Sequence, residues 1–351
     1  MDRNISAPDR DVKVDGFARI PADERRDIFN EVAVRIGGVD FTIAEKDFWV
    51  CWTLGILFRL GPDHPNMVFK GGTSLSKAYG LIDRFSEDID IVTDVDYFLQ
   101  HGAGDPEDDI SGSERQRRVV RLDNDCTEYV GNVLLPTLQE TFTNRLGATG
   151  WELSIDSAEP HGHTLLFRYP WSDPSREHEY LRGRVKIELG WRSATMPADE
   201  RVVTPYAAAH FPDLFVNPSV RCHVLTADRT FWEKVTALHA ESFRDEVPRF
   251  FARHYSDVAV ISRTDLGAAS IKDLQMLETV KRYKQRYYPS AWSRYDLAAS
   301  GTLRLCPSEA KSRALAADYR AMRSMFFSEP SSFSDVLERL RQIEKMINGR
   351  P

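Results

Sequence analysis

Apolar positions recur at helical spacing over residues 22–37 and 42–60 (Ile28, Val32 and Ile36, then Phe48, Cys51, Trp52, Gly55 and Leu57), which predicts two packed helices, the second with Thr42 as a cap ahead of Glu45. The pattern then shortens. Residues 67–70 form an apolar run that predicts a strand, Gly71 and Gly72 a turn, and the stretch to about Tyr79 a helix, while residues 88–93 alternate as a second strand. Between 100 and 113 there is no periodicity and many breakers, so a mobile loop is expected. Residues 114–146 read as helix with an interruption at Pro136, and residues 151–156, 164–169 and 184–189 as strands. Beyond Cys222-His223-Val224-Leu225 the period is helical to the end, in segments near 228–243, 248–262, 270–287, 308–325 and 334–347. The expected organisation is therefore N-terminal helices over 1–61, an α/β core over 62–220 and a helical domain over 221–351 that completes the site.

Composition narrows the class. A chain of 351 residues exceeds the usual size of one core, and with 42% hydrophobic and 28% charged residues it is ordinary for a globular protein. No apolar run could span a bilayer and no apolar signal segment opens the sequence, so the expectation is a cytoplasmic protein without a membrane partner. Cys51, Cys126, Cys222 and Cys306 lie far apart, which fits buried thiols and not bridges or zinc ligands. A net charge of −7 argues against broad attraction to phosphate backbones. Local patches stay open: Arg115, Arg117, Arg118 and Arg121 either pair along their helix with Glu114 and Asp123 or meet RNA.

The chemistry concentrates between residues 69 and 92. On a strand, Ser86, Asp88, Asp90 and Val92 share one face while Ile89 and Ile91 take the other. Two neighbouring carboxylates repel unless a cation lies between them, and hard oxygen ligands suit Mg²⁺ (or Mn²⁺) held together with a nucleoside triphosphate. Gly71 and Gly72 can let phosphate approach backbone N–H groups at a helix start, with Thr73 and Ser86 as further phosphate-binding hydroxyls. In Val185-Lys186-Ile187-Glu188-Leu189, Glu188 is either a third carboxylate, as metal ligand or base, or with Lys186 part of a solvated sheet face. Lys234, Arg253 and Asp257 sit at the borders of two apolar helical stripes, where a long stem can bury while its charge reaches a cleft.

The stretches Phe69-Lys-Gly-Gly-Thr-Ser-Leu-Ser-Lys-Ala-Tyr-Gly80, Arg84-Phe-Ser-Glu-Asp-Ile-Asp-Ile91, Val185-Lys-Ile-Glu-Leu189, Thr230-Phe-Trp-Glu-Lys-Val-Thr-Ala-Leu-His239 and Arg253-His-Tyr-Ser-Asp-Val258 resemble the AbiEii/AbiGii nucleotidyltransferase toxins of the polymerase-beta-like superfamily. The resemblance implies an α/β (α+β) fold, a nucleotidyltransferase core with a mixed sheet followed by a C-terminal helical domain. It also implies site roles for Lys234 and Asp257, and an enzyme moving a nucleoside monophosphate from a triphosphate to RNA such as a tRNA 3′ end. Such an enzyme is the toxin partnered by a cognate antitoxin, or part of an abortive-infection system. Two departures stand out: the spacing between Gly72 and Asp88 is long, and Ser256-Asp257-Val258 stands where the family often has Tyr-Asp-Leu. The alternatives are a small-molecule nucleotidyltransferase of the antibiotic-modifying kind and an inactive protein-binding scaffold.

Overall fold

A computed structural model describes residues 12–100, 102, 104–159, 161–176, 182–244 and 246–349. Its seven strands are β1 (Met67–Lys70), β2 (Ile89–Thr93), β3 (Glu152–Ile155), β4 (Thr164–Arg168), β5 (Val185–Gly190), β6 (Ala198–Val203) and β7 (Val220–Leu225). They form one mixed sheet in the order β3-β4-β5-β2-β1-β7-β6. β2 runs antiparallel to β1 and parallel to β5, and β1 runs parallel to β7. The predicted strand at 88–93 begins one residue later, so Ser86 and Asp88 lie before β2 and the expected alternation does not extend to them.

The helices of this part are α1 (Val12–Arg19), α2 (Ala22–Arg35), α3 (Phe41–Leu57), α4 (Gly71–Lys77), α5 (Val95–Leu99), α6 (Gly112–Tyr129), α7 (Leu135–Leu146) and α8 (Tyr206–His210). α3 is buried along its whole length, and a helix that is apolar nearly all round belongs inside a core. Its cap is Asp40, whose carboxylate accepts from the Thr42 backbone N–H at 2.9 Å; Thr42 itself is the second helical residue, not the cap. α6 and α7 are joined by a π-helical turn at Val130–Leu134, which ends two residues before Pro136 in the first turn of α7.

The segment expected to be a mobile loop is latched onto α6. Arg115 Nε donates to the Pro106 carbonyl at 2.9 Å, and Arg118 donates to the Asp105 carbonyl at 2.7 Å and to the Asp108 carboxylate at 2.6 Å. Arg117 pairs with Glu114 and Arg121 with Asp125, so these arginines serve their own helix and loop.

The remaining helices are α9 (Ala227–Glu241), α10 (Ala252–Ile261), α11 (Asp265–Ser270), α12 (Leu274–Tyr287), α13 (Glu309–Ala321) and α14 (Phe333–Asn348). The helix expected over 270–287 starts at Leu274, because Asp273 caps it by accepting from the Met276 N–H at 3.0 Å, and the separate helix α11 ends at Ser270. α9 packs against α10, α11 and α12, and α10 against α13 and α14. The chain divides into two compact units, one of Met1–Ala78 with Ser86–Val224 and one of Tyr79–Phe85 with Leu225–Pro351. N-terminal helices and sheet thus share one unit, and the break falls close to the change of period seen in the sequence. No helix among the described residues is long and apolar enough to cross a membrane.

Candidate active site

In the sheet-bearing unit the carboxylates are placed by pairing. Asp90 is level with Glu188 on β5 and with Lys70 on β1, and Glu188 is level with Thr164 on β4, so these four side chains form a row across one face. β5 alternates buried and half-buried, with Val185, Ile187 and Leu189 inward and Lys186 and Glu188 on the Asp90 face. Glu188 accepts from Lys186 at 2.6 Å. Burial pulls the Lys186 ammonium down, but Glu188, Asp88 and Glu159 outweigh that and hold its pKa up. Lys186 is thus the resident counter-charge of the acid row, a role that its reading as part of a solvated face does not capture.

The glycine turn is shaped by Asp90. Gly71 adopts φ +80°, and a Cβ there would stand 1.8 Å from Asp90 Oδ2, so only glycine lets the carboxylate lie against the backbone at the start of α4. Thr73 is fully buried and its hydroxyl donates to the Asp88 carbonyl at 2.5 Å, while Ser74 Oγ donates to the Gly71 carbonyl at 3.0 Å. Thr73 therefore fixes the approach to β2 and does not present its hydroxyl to a phosphate, contrary to expectation. Ser86 is buried at 7% exposure and precedes β2, which removes the shared strand face that assigned it to phosphate; Gly72 is half-buried in the first turn of α4.

Both flanks of this turn are held by charges on α3 that the sequence reading did not single out. Asp47, 1% exposed, pairs with Lys77 at the end of α4 at 2.5 Å and accepts from the Tyr206 N–H at 2.6 Å. Lys46, one residue earlier, donates to Glu87, which adjoins Asp88 in the chain. Three consecutive charged residues, Glu45 to Asp47, in an otherwise apolar helix are the signal that could have found them, since buried charges persist only with partners.

The donor set fits a hard divalent cation in part. Asp88 and Asp90 offer oxygen ligands within three residues, and Mg²⁺ commonly uses one or two carboxylates with phosphate oxygens and water completing its shell. Among the described residues no three His, Cys, Asp or Glu side chains are gathered as a metal cluster, and Glu188 is spent on Lys186, so the expected three-acid ligand set is not assembled.

The helical unit contains a second charged cluster, built from Lys234 on α9, His254 and Asp257 on α10, and Arg84 from the inserted segment. Lys234 Nζ lies 3.0 Å from Asp257 Oδ2 and 3.4 Å from His254 Nδ1. Arg84 grips the same carboxylate with both of its forks, Nε to Oδ1 at 2.8 Å and Nη2 to Oδ2 at 2.7 Å, with both residues at most 2% exposed. Burial opposes charge on Asp257, but Arg84 and Lys234 outweigh it and hold its pKa well below the carboxylate range. Burial lowers the Lys234 pKa, Arg84 and Arg253 act in the same direction, and Asp257 opposes them. His254 is driven far below its ordinary value by burial first and then by Lys234 and Arg253, so its ring is neutral and accepts from the ammonium. Lys234 and Asp257 were named from the sequence as site residues; Arg84 was not, although it stood in the same motif as Asp88 and Asp90.

Residues 55–339 match the family model described as nucleotidyl transferase AbiEii toxin, type IV TA system. Among solved structures the chain is similar to MenT4, a nucleotidyltransferase toxin from Mycobacterium tuberculosis H37Rv, at 18% identity and a TM-score of 0.44, covering 91% of this chain and 97% of that one. No curated protein sequence matches significantly.

Proposed function

The chain belongs to the AbiEii nucleotidyltransferase toxin family, the toxin half of a toxin–antitoxin system, and from that premise we propose that it transfers a nucleoside monophosphate from a nucleoside triphosphate to RNA, at a tRNA 3′ end, with Mg²⁺ or Mn²⁺ held by Asp88 and Asp90. The observation that carries this reading is the packing of the Asp90 carboxylate against a positive-φ glycine at a turn whose first helical N–H groups can receive phosphate. The cation, when bound, neutralises phosphate oxygens and orients the triphosphate for in-line attack. The protein's share is positioning. Gly71 and Gly72 leave room for phosphate beside the backbone, and Asp88 and Asp90 fix where the charge is neutralised. Glu188, freed from Lys186, takes the proton of the attacking hydroxyl, Lys234 neutralises the leaving pyrophosphate, and Asp257 orients Lys234. A cognate antitoxin partner accompanies this function.

Incubating the protein with each radiolabelled triphosphate and total RNA, with and without EDTA, tests the reading. Label in RNA that disappears with EDTA is the expected result. Label found only in a small hydroxylated acceptor would move the enzyme to the antibiotic-modifying class, and label in neither would favour a scaffold.

A further inference from the structure

The charged cluster of the helical unit holds more positive than negative charge. Arg84 and Lys234 share one carboxylate, and His254 beside them is neutral, so the buried group Arg84–Asp257–Lys234 carries a net positive charge. Excess charge on side chains this buried is costly unless an anion comes to it. An ammonium has three N–H donors, and those of Lys234 are directed at Asp257 and His254, which leaves one for that anion.

What decides where that donor points is the carboxylate. Asp257 is on α10 and could rotate about its side-chain bonds or turn either oxygen toward Lys234. It does neither, because Arg84 takes Oδ1 and Oδ2 in a two-pronged bond whose planar fork matches the carboxylate. Arg84 is itself anchored. Its Nη1 donates to the Phe85 carbonyl at 3.0 Å, it forms an antiparallel bridge with Phe326, and the Phe85 N–H donates to the Met325 carbonyl at 2.7 Å. The segment bearing Arg84 is thus stitched to the 325–326 backbone, and the guanidinium cannot swing without breaking that pairing.

We propose that Arg84 is a positioning residue for nucleotide transfer, acting through Asp257 to fix the direction of the Lys234 ammonium. The proposal rests on the reading of Lys234 given above and adds to it the residue that aims the cation. It also gives a reason why Arg84 is an arginine. A lysine would keep the charge but make a single-point contact, leaving the carboxylate free to turn.

The test is a double-mutant cycle with Arg84→Lys, Lys234→Ala and the pair, measured as kcat and KM for the labelled triphosphate well below each variant's melting temperature. A cavity of about 190 Å³ borders Arg84, lined also by Ser256, Arg263 and Tyr319, so water can replace the lost guanidinium contacts and Arg84→Lys is expected to fold. The expected result is a fall in kcat of about ten- to a hundredfold for Arg84→Lys with little change in KM, and no further fall when it is added to Lys234→Ala. Parent kcat in Arg84→Lys, or the same fold-loss in the Lys234→Ala background as in the parent, would overturn the proposal, since Arg84 would then act independently or only in folding. Parent activity in Lys234→Ala alone would instead overturn the reading of Lys234 and remove the proposal with it.

Discussion

At the residue scale, a small number of side chains are fixed by contacts that tolerate no change. Gly71→Ala would place a methyl 1.8 Å from Asp90 Oδ2 in a backbone region that L-residues avoid. We expect a loss of about 1–3 kcal/mol of stability from strain, seen in thermal melting, together with loss of nucleotide transfer as Asp90 is pushed aside. Lys234→Ala removes a buried cation paired with Asp257, and in preparations shown folded by thermal melting transfer should fall by the equivalent of about 2 to 4 kcal/mol of transition-state stabilisation, read from kcat/KM. Asp88, Asp90, Glu188, Lys234 and Asp257 were singled out in the sequence by residue type and spacing; the structure sets Asp90 level with Glu188 across the sheet and pairs Lys234 with Asp257. Thr73 and Ser86 were misjudged because a hydroxyl's partner depends on where the chain goes next: Thr73 turns to the Asp88 carbonyl, and Ser86 lies before the strand begins.

At the scale of elements, period was a good guide and partnership was not. β1 was read to the residue, and α3, α9 and α14 to within a few residues, since their apolar patterns are strong. β6 was missed because Ala198-Asp-Glu-Arg-Val-Val203 is an edge strand with mostly exposed, charged positions and no alternation to see. The buried charges of α3 were missed because periodicity cannot say that Asp47 meets Lys77 or that Glu45 meets Ser172. Glu45 carries a prediction of its own. It is fully buried and accepts from the Ser172 N–H at 2.9 Å and from Ser172 Oγ at 2.6 Å, yet burial dominates and raises its pKa from 4.5 to about 7. The folded state therefore binds this proton more tightly than the unfolded chain does. Stability from Glu45 is present in full below about pH 4.5 and is lost as pH rises through about 7, by at most roughly 3 kcal/mol. Thermal melting of Glu45→Gln between pH 5 and 8 should show a flatter pH dependence than the parent and a higher melting temperature at pH 8; equal slopes would exclude Glu45 as the source.

At the scale of the whole molecule, the change from α/β to helical period near residue 220 was visible, and the two compact units divide at Val224 and Leu225. The sequence did not reveal that Tyr79–Phe85 belongs to the helical unit, because that assignment depends on contacts such as Arg84 with Asp257, which are 173 residues apart. Local patterns carry no information about such pairs. The consequence is that the segment carrying Arg84 and the strand carrying Asp90 are neighbours in the chain but members of different units. Family membership supplies the activity at this scale.

The central claim is that Asp88, just before β2, and Asp90 on it hold the cation that drives nucleotide transfer. Asp90 is half-exposed on the sheet face, so Asp90→Ala should fold like the parent. The most direct measurement is incorporation of labelled nucleotide by parent and Asp90→Ala preparations matched by thermal melting, each titrated with Mg²⁺. The account predicts metal-dependent labelling by the parent and none by Asp90→Ala at any Mg²⁺ concentration; full labelling by a folded Asp90→Ala protein would contradict it.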